Sequence, residues 1–280
     1  MNGLPPERTG FPAPAEITAL RAGAEAACAS GKWATRRPVA VLRLGGCEVL
    51  RVAPLGTVRG RVLHFHGGGY RLGMPEMDCP FGEALADACG VEVLLPRYRL
   101  APEHPFPAGL YDGLAAFDAM PANVARLISG ASAGGGIAAA IPSLRSGKSA
   151  GLILHSAWLD LSVTALSYDA NAECDPLFSR TSAEAAAALY LQGADPAHPL
   201  ASPLLADPAA FPPTLISVGS GEVLIDDARS MAARLGGKAR LLEVSGMDHV
   251  AVTRDAEAPG AVGVFAATCA FIEERIAAQS

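Results

Sequence analysis

One short segment, Gly130-Ala131-Ser132-Ala133-Gly134, constrains the fold of this chain more than any other feature. It follows an apolar run, Arg126-Leu127-Ile128, with the composition of a strand, and it precedes an alanine-rich stretch typical of a helix. A serine between two glycines at a strand-to-helix turn is typical of an elbow that lifts the serine oxygen clear of the sheet. Small neighbours are required because the strand and the helix approach closely. The segment therefore predicts an α/β sheet with Ser132 at its edge.

A second glycine-rich segment, His66-Gly67-Gly68-Gly69-Tyr70, lies about sixty residues earlier in the chain. It also follows an apolar run with the composition of a strand, residues 61–65. Glycine suits this loop because the backbone can approach a substrate oxygen with no side chain in the way. We predict an oxyanion hole formed by the N–H groups of Gly67, Gly68 or Gly69 with that of Ala133. Together the two segments predict a serine hydrolase in which Ser132 is the nucleophile.

His249 is the predicted general base. A hydroxyl is a poor nucleophile at neutral pH, so a base must lie within hydrogen-bond reach of it. His249 is the last histidine of the chain, and it lies between a predicted strand and the last predicted helix. This position fits the chain order serine, acid, histidine that is expected for such a fold.

Two acidic residues fit the position of the acid, which must orient the imidazole and stabilise its protonated form. Glu222 and Asp226 both follow the predicted strand at 214–219 and precede His249. Glu222 lies closer to the strand end, whereas Asp226 falls in the first turn of the next helix, where a carboxylate also suits the helix dipole. Glu222 is the favoured acid, and Asp226 stays the alternative.

Strands alternate with helices along most of the chain. Apolar patterning predicts eight strands, at residues 39–44, 47–53, 61–65, 91–95, 126–129, 151–155, 214–219 and 240–244. Helices are predicted after Ser132 and at residues 12–30, 78–89, 107–119, 181–191, 225–235 and 260–276. An opening hairpin followed by this alternation predicts a mostly parallel eight-stranded α/β sheet flanked by helices. The candidate catalytic residues follow strand ends, where ligands bind in such sheets.

Residues 158–212 break the alternation, since they hold several prolines, no clear strand and one predicted helix. An insertion of this length between sheet strands is more often functional than a plain loop. We expect residues 1–35 to form N-terminal cap helices and residues 36–280 to form a catalytic domain. The insertion would complete a small cap over the site.

Composition limits the partners and the location of the protein. The chain has 280 residues and a net charge of −6, and no basic stretch suggests a nucleic-acid partner. The first residues lack the pattern of a secretory signal, and no run reaches the roughly 18 apolar residues of a membrane span. A cytoplasmic protein without membrane insertion is therefore expected. Its six cysteines show no metal-ligand spacing and are expected to be free, buried thiols.

Several motifs resemble the bacterial hormone-sensitive-lipase-like carboxylesterases of the α/β-hydrolase superfamily. Besides the glycine loop, these are the run YRLAPEHPFPA at 98–108, WLDL at 158–161, SPL at 202–204, PPTL at 212–215 and VGSGEVLIDD at 218–227. The resemblance covers roughly residues 60–275. It implies the α/β-hydrolase fold, and it places Ser132, His249 and Glu222 on the nucleophile, base and acid positions.

The resemblance also implies a reaction: hydrolysis of small carboxylic esters, usually with short acyl chains, without a metal or organic cofactor. A lactonase, an amidase or a deacetylase would use the same catalytic residues. A non-catalytic small-molecule receptor with the same fold is a further hypothesis. A homodimer is left open. Tyr70 and Tyr190 are candidates for substrate binding, with core packing as the alternative for each.

The chain departs from the family pattern in two places. Ala131 stands directly before Ser132 where the family usually has aspartate or threonine, so a side-chain hydrogen bond of other members is absent. The region before the sheet is short, which implies a small cap and an open pocket. Within the proline-rich run, Glu103 is expected to pair with Arg97 or Arg99 and to support the loop.

Overall fold

Eight strands form one sheet in the order β1-β2-β4-β3-β5-β6-β7-β8 in the computed structural model, which describes residues 4–279. The strands are β1 (Ala40–Leu44), β2 (Cys47–Val52), β3 (Gly60–Phe65), β4 (Val91–Pro96), β5 (Ala125–Ala131), β6 (Gly151–His155), β7 (Thr214–Gly219) and β8 (Ala239–Val244). β2 pairs antiparallel with β1 and β4, and all other neighbours pair in parallel. The predicted mostly parallel eight-stranded sheet is confirmed.

Helices cover both faces of the sheet. Those among residues 4–279 are α1 (Ala15–Ala29), α2 (Cys79–Cys89), α3 (Ala108–Ala119), α4 (Ala133–Leu144), α5 (Ser167–Ala170), α6 (Arg180–Leu191), α7 (Ile225–Leu235), α8 (Ala251–Arg254) and α9 (Ala261–Ala277). The short helices α5 and α8 were not predicted, because four residues are too few to show a helical period. The predicted N-terminal helical region is a single helix, α1.

Alternate residues of the central strands pack into two separate hydrophobic cores, one on each face of the sheet. Val62 of β3 and Leu127 of β5 pack with α2 and α9 on one face of the sheet. Leu63 and Ile128, the next residues along, pack with α3 and α4 on the other. This alternation follows from the two-residue period of a strand. Because both faces of these strands are buried, their sequences are continuous apolar runs.

Strand register brings the two glycine-rich segments together. β3 and β5 are parallel neighbours, and Phe65 pairs with Gly130 at their carboxyl ends. The loop after β3 and the turn after β5 therefore leave the sheet side by side. Two segments about sixty residues apart in sequence thus meet at one edge.

The stretch between β6 and β7 carries α5, α6 and two short 3-10 turns, Pro203–Leu205 and Pro208–Ala210. It contains no strand across residues 156–213, all of which the structure describes, as predicted. The division into cap and catalytic regions stays a prediction, and Met1 to Gly3 and Ser280 lie outside the described residues. No helix within residues 4–279 has the length and apolar character needed to cross a bilayer.

Two smaller expectations are wrong. Glu103 pairs with Arg21 of α1, with contacts of 2.7 and 3.1 Å, and not with Arg97 or Arg99. Those two arginines are engaged by other carboxylates, such as Glu48 for Arg97. The six cysteines are free, but only three of them are buried, and Cys174 is exposed.

Candidate active site

Ser132 occupies a strained turn between β5 and α4. Its φ is 52° and its ψ is −122°, a region that side-chain-bearing residues seldom occupy and that marks functional turns. A Cβ on Gly134 would lie 2.2 Å from the Phe65 carbonyl oxygen, and one on Gly130 would lie 2.3 Å from the Gly134 carbonyl oxygen. Only glycine fits at these two positions, so the flanking glycines follow directly from the close approach of strand and helix.

The backbone on both sides of Ser132 is held in place. Its N–H donates to the His155 carbonyl at 3.0 Å, and its own carbonyl accepts the N–H of Trp158 at 3.0 Å. Both partners lie at or just beyond the end of β6. The neighbouring strand therefore fixes the turn that presents the serine oxygen.

Ser132, His249 and Glu222 form a continuous hydrogen-bonded chain. Ser132 Oγ lies 3.0 Å from His249 Nε2, and His249 Nδ1 lies 2.7 Å from Glu222 Oε2. All three residues are buried, with exposed fractions of 5%, 8% and 1% respectively. An ionised carboxylate can only accept, so Nδ1 carries the proton and Nε2 is free to accept the serine proton. The structure brings together the three residues predicted to meet.

The second oxygen of Glu222 is also satisfied. Its Oε1 accepts the hydroxyl of Ser156 at 2.7 Å and the N–H of Gly219 at 2.5 Å. Ser156, with a φ of 46°, also accepts the N–H of Val250 at 3.0 Å. This serine was not predicted from the sequence. Its place directly after β6, at the active edge of the sheet, is the signal that could have found it.

The neighbouring carboxylates do not contact the imidazole. Asp226 Oδ2 accepts the N–H of Ser167 at 2.9 Å. Asp227 is buried and accepts the N–H groups of Leu159 and Asp160 at 2.7 and 3.0 Å. Burial raises the pKa of Asp227 to about 7, although these two hydrogen bonds act in the opposite direction. Of the two acids considered, the structure brings Glu222 to His249 and uses Asp226 to anchor the insertion.

An aromatic side chain from the insertion covers the histidine. The Phe178 ring stacks on the His249 ring with centroids 5.7 Å apart and planes 13° apart. Asp175 holds this segment by accepting the N–H groups of Leu177 and Phe178, both at 3.0 Å. Neither residue was identified from sequence, because the insertion shows no periodic pattern that would mark a contact with residue 249.

The glycine loop lies directly against the serine. A Cβ on Gly67 would lie 3.3 Å from Ser132 Cβ, and Gly68 and Gly69 have φ values of 119° and 60°. The N–H groups of Gly68 and Gly69 donate to no backbone carbonyl among residues 4–279. Ala133, as the first residue of α4, has no intrahelical acceptor for its own N–H. Unsatisfied donors therefore border the serine on two sides.

His66 supports this loop as a neutral ring. Its Nδ1 donates to the Gly67 carbonyl at 2.7 Å, and its ring stacks on Tyr98 with centroids 4.4 Å apart. The Tyr98 hydroxyl donates to the His66 carbonyl at 2.8 Å. Burial lowers the pKa of His66 to about 4, so it is uncharged at neutral pH.

A cavity of about 240 Å³ opens at these residues. Its walls include Ser132, His249, the three loop glycines and side chains of the insertion such as Phe178. Tyr70 and Tyr190 are not part of its lining. Both are buried, and their rings stack on each other with centroids 3.8 Å apart, which favours the packing alternative.

One cluster among residues 4–279 has the composition of a metal site. Potential ligand atoms of Asp175, Glu222 and His249 lie within 4.8 Å of one another. Each carboxylate oxygen, however, already accepts a hydrogen bond, since Asp175 Oδ2 takes the N–H of Val223 at 3.1 Å. The other potential ligand atoms, those of Glu222 and His249, take part in the hydrogen bonds described above.

Comparison with known proteins gives a consistent result. The family model of the alpha/beta hydrolase fold matches residues 62–253. An acetyl-hydrolase from Streptomyces hygroscopicus is 38% identical over 204 residues, which cover 69% of this chain and 68% of that protein. An esterase from Acinetobacter venetianus is 34% identical over 200 residues, covering 67% and 65% respectively. The solved structure of an esterase from the bacterial hormone-sensitive lipase family has a TM-score of 0.86 at 31% identity, covering 95% of this chain and 94% of that one.

The sheet, the serine elbow and the serine–histidine–glutamate arrangement define the class of serine hydrolases. The chain belongs to the α/β-hydrolase family and, within it, to the hormone-sensitive-lipase-like carboxylesterases.

Proposed function

We propose that the protein hydrolyses short-chain carboxylic esters through an acyl-enzyme on Ser132, with His249 as general base and Glu222 as the acid that orients it. The observation that carries the proposal is the pair of contacts at His249, 3.0 Å to Ser132 Oγ and 2.7 Å to Glu222 Oε2. These distances are within the reach that proton transfer and orientation require.

In the first half of the reaction, Ser132 Oγ attacks the ester carbonyl carbon while its proton passes to His249 Nε2. The carbonyl π bond opens, and its electron pair becomes an oxyanion. The candidate donors for that charge are the N–H groups of Gly67, Gly68 or Gly69 together with that of Ala133. Glu222 stabilises the imidazolium that forms. His249 then returns the proton to the alkoxy oxygen, the C–O bond breaks, and the alcohol leaves.

In the second half, water takes the place of the alcohol. His249 removes a proton from water, and the resulting hydroxide attacks the acyl carbon of the Ser132 ester. The second oxyanion collapses, the bond to Ser132 Oγ breaks, and His249 protonates that oxygen. The products are one carboxylic acid and one alcohol for each ester and water consumed. Every proton passes through a single imidazole nitrogen, Nε2.

Cavity size favours a short acyl chain. A volume of about 240 Å³ lies below the range of roughly 300–1,000 Å³ typical of drug-sized ligand sites. The relative from Streptomyces hygroscopicus is named an acetyl-hydrolase, and the acetyl group is a small acyl group. We expect activity to fall as the acyl chain outgrows the cavity.

The N-terminal segment and the insertion are proposed to form the cap together. Arg8 donates to the carbonyls of Gln192 and Leu191, both at 2.6 Å, at the end of α6. Arg21 of α1 donates to the Arg71 carbonyl at 2.9 Å, just after the glycine loop. Both arginines therefore connect the N-terminal segment to elements beside the cavity.

A substrate panel tests the proposed reaction. p-Nitrophenyl esters from acetate to dodecanoate are compared with lactones and an anilide, using the unmodified protein and Ser132→Ala. The proposal expects the highest kcat/KM on a short ester and none above background in the variant. A lactone turned over about a hundredfold faster than the best ester would make lactone hydrolysis the main activity. An unmodified protein without turnover of any substrate would favour the receptor reading.

The cytoplasmic location expected from the sequence is tested by fractionating cells that produce the protein. The homodimer is tested separately, by light scattering of the purified chain. A monomer at micromolar concentration would remove the dimer from the account without affecting the proposed reaction.

A further inference from the structure

Two arginines on the wall of the cavity have side chains without a partner among residues 4–279. Arg71 and Arg254 both line it, and the guanidinium of neither makes a hydrogen bond or ion pair with any of residues 4–279. Every other arginine in that range pairs with a carboxylate or donates to a backbone carbonyl. Both unpaired guanidinium groups thus lie at the cavity that contains Ser132.

The backbone of Arg71 is hydrogen-bonded, whereas its side chain makes no hydrogen bond within residues 4–279. Its N–H donates to the Gly68 carbonyl at 3.2 Å, and its carbonyl accepts Arg21 Nε at 2.9 Å. Its Nε is buried and has no hydrogen-bond acceptor in the described part of the chain. A Cβ on Gly69 would lie 3.6 Å from that Nε, so the side chain runs beside the glycine loop. A buried N–H without an acceptor is unfavourable, and an acceptor on a ligand would relieve it.

Arg254 reaches the same cavity from another part of the chain. It is the last residue of α8, a few residues after His249, and it is exposed. The first arginine follows the glycine loop and the second follows the base. Two segments that carry the reacting groups therefore each place a cation at the cavity.

The charge on the cavity wall is positive, although the protein carries a net charge of −6. Among the lining residues that the structure describes, the one carboxylate is that of Asp78, which is buried with its Oδ2 3.0 Å from His64 Nε2. His66 is neutral because burial lowers its pKa to about 4. The nearby charge of Glu16 opposes the effect of burial on the pKa of Arg71, but it forms no ion pair with it. The described lining thus contains one carboxylate that is already hydrogen-bonded and two guanidinium groups that are not.

We propose that this cavity takes esters that carry a second, free carboxylate, and that Arg71 with Arg254 forms the subsite for that group. The chemical class is the half-esters of short dicarboxylic acids. A guanidinium binds a carboxylate through two parallel N–H bonds, which adds orientation as well as attraction. Hydrolysis of such an ester consumes one water and releases a dicarboxylate and an alcohol. The inference rests on the proposed ester hydrolysis and names its substrate class.

A matched pair of esters tests the proposal. Monomethyl glutarate carries a free carboxylate, and the methyl ester of glutaramic acid replaces it with a neutral amide of nearly the same shape. Acid release gives kcat/KM for both in the unmodified protein, in Arg71→Gln and in Arg254→Gln. Arg43→Gln is the control, since it removes one positive charge from an exposed arginine of β1, outside the cavity lining. The readout is the ratio of the two kcat/KM values within each variant, so a general loss of activity cancels.

The unmodified protein is expected to prefer the half-ester by about tenfold or more. The ratio should fall towards one in Arg71→Gln, fall by less in Arg254→Gln and stay at the unmodified value in Arg43→Gln. Added salt should lower the ratio in the unmodified protein.

A ratio of one or below in the unmodified protein overturns the carboxylate subsite, and so does an undiminished ratio in Arg71→Gln. Hydrolysis of p-nitrophenyl acetate is measured in parallel. If that ester is cleaved and the half-ester is not preferred, only the subsite is wrong. If neither kind of ester is cleaved, the proposed function itself fails.

Discussion

Ser156 donates its hydroxyl to Glu222 Oε1 at 2.7 Å. The same hydroxyl oxygen accepts the N–H of Val250, the residue after His249, at 3.0 Å. One side chain therefore connects the acid to the backbone that carries the base. The relative placement of Glu222 and His249 depends on a residue from a third strand end.

Replacing Ser156 by alanine is expected to lower kcat by roughly tenfold to a hundredfold with little change in KM. Removal of both bonds lets the acid and the base shift relative to Ser132, and small displacements at a reacting centre are costly. Steady-state kinetics on a short p-nitrophenyl ester measures the effect. Ser143→Ala, a serine-to-alanine change on α4 outside the cavity lining, is the control. An unchanged kcat in Ser156→Ala would show that its bonds do not position the pair.

Glu222→Gln is expected to lower kcat by on the order of 10³–10⁴-fold, because an amide can donate and the imidazole then loses its fixed tautomer. Asp226→Asn is the matched control, since Asp226 accepts the N–H of Ser167 at 2.9 Å and lies 3.9 Å from Arg229 Nη1, away from the imidazole. Its kcat should stay within about threefold of the unmodified value, because no contact to the imidazole is lost. A larger loss in Asp226→Asn than in Glu222→Gln would reverse the assignment of the acid.

Asp227 should make the protein less stable as the pH rises. Burial raises the pKa of its carboxyl to about 7, well above the value of about 3.9 for an unfolded chain. Between these two values the folded state binds the proton and the unfolded state does not. The free energy of unfolding therefore decreases with rising pH, by at most about 1.4 kcal/mol per pH unit from this group.

Urea unfolding at several pH values from 4 to 8 measures this dependence. Asp227→Asn keeps an oxygen that can accept the N–H groups of Leu159 and Asp160 but removes the titration. The stability of the variant should therefore fall less over this range than that of the unmodified protein. Parallel pH profiles for the two proteins would contradict the raised pKa.

Ser143→Ala is expected to stabilise the protein by about 0.5–1.5 kcal/mol. The Ser143 hydroxyl is buried on α4 without a hydrogen-bond partner among residues 4–279. Alanine removes this unsatisfied group and has the higher helix propensity. Thermal or urea unfolding measures the change. A loss of stability would mean that the hydroxyl has an acceptor in solution.

Much of the fold and the core of the site could be predicted from local sequence. The serine elbow was predictable because Gly130 and Gly134 are imposed by contacts closer than any side chain allows. The central strands were predictable because burial on both faces leaves continuous apolar runs. Glu222 could be ranked above Asp226 because only the former directly follows a strand end.

The rest depends on contacts between distant segments. Ser156 contacts the acid across 66 positions, and only its place directly after a strand end hints at a role. Phe178 contacts the base across 71 positions (249 − 178), and no local pattern marks it. Glu103 pairs with an arginine 82 residues away rather than with its neighbours, which already have other carboxylate partners. Tyr70 follows the glycine loop, yet its ring stacks on Tyr190 in the core. Side-chain direction after a tight turn is set by tertiary packing.

Covalent labelling followed by peptide mass mapping tests the central claim most directly, because an organophosphate ester reacts only with an activated nucleophile. Diethyl p-nitrophenyl phosphate is added to the unmodified protein and to His249→Gln, and residual esterase activity is followed together with the site of the adduct. The account predicts a single diethylphosphoryl group on Ser132, loss of activity in step with labelling, and labelling at least about a hundredfold slower in the variant. Complete inactivation with Ser132 unlabelled, or labelling of Ser132 at an equal rate in His249→Gln, would contradict it.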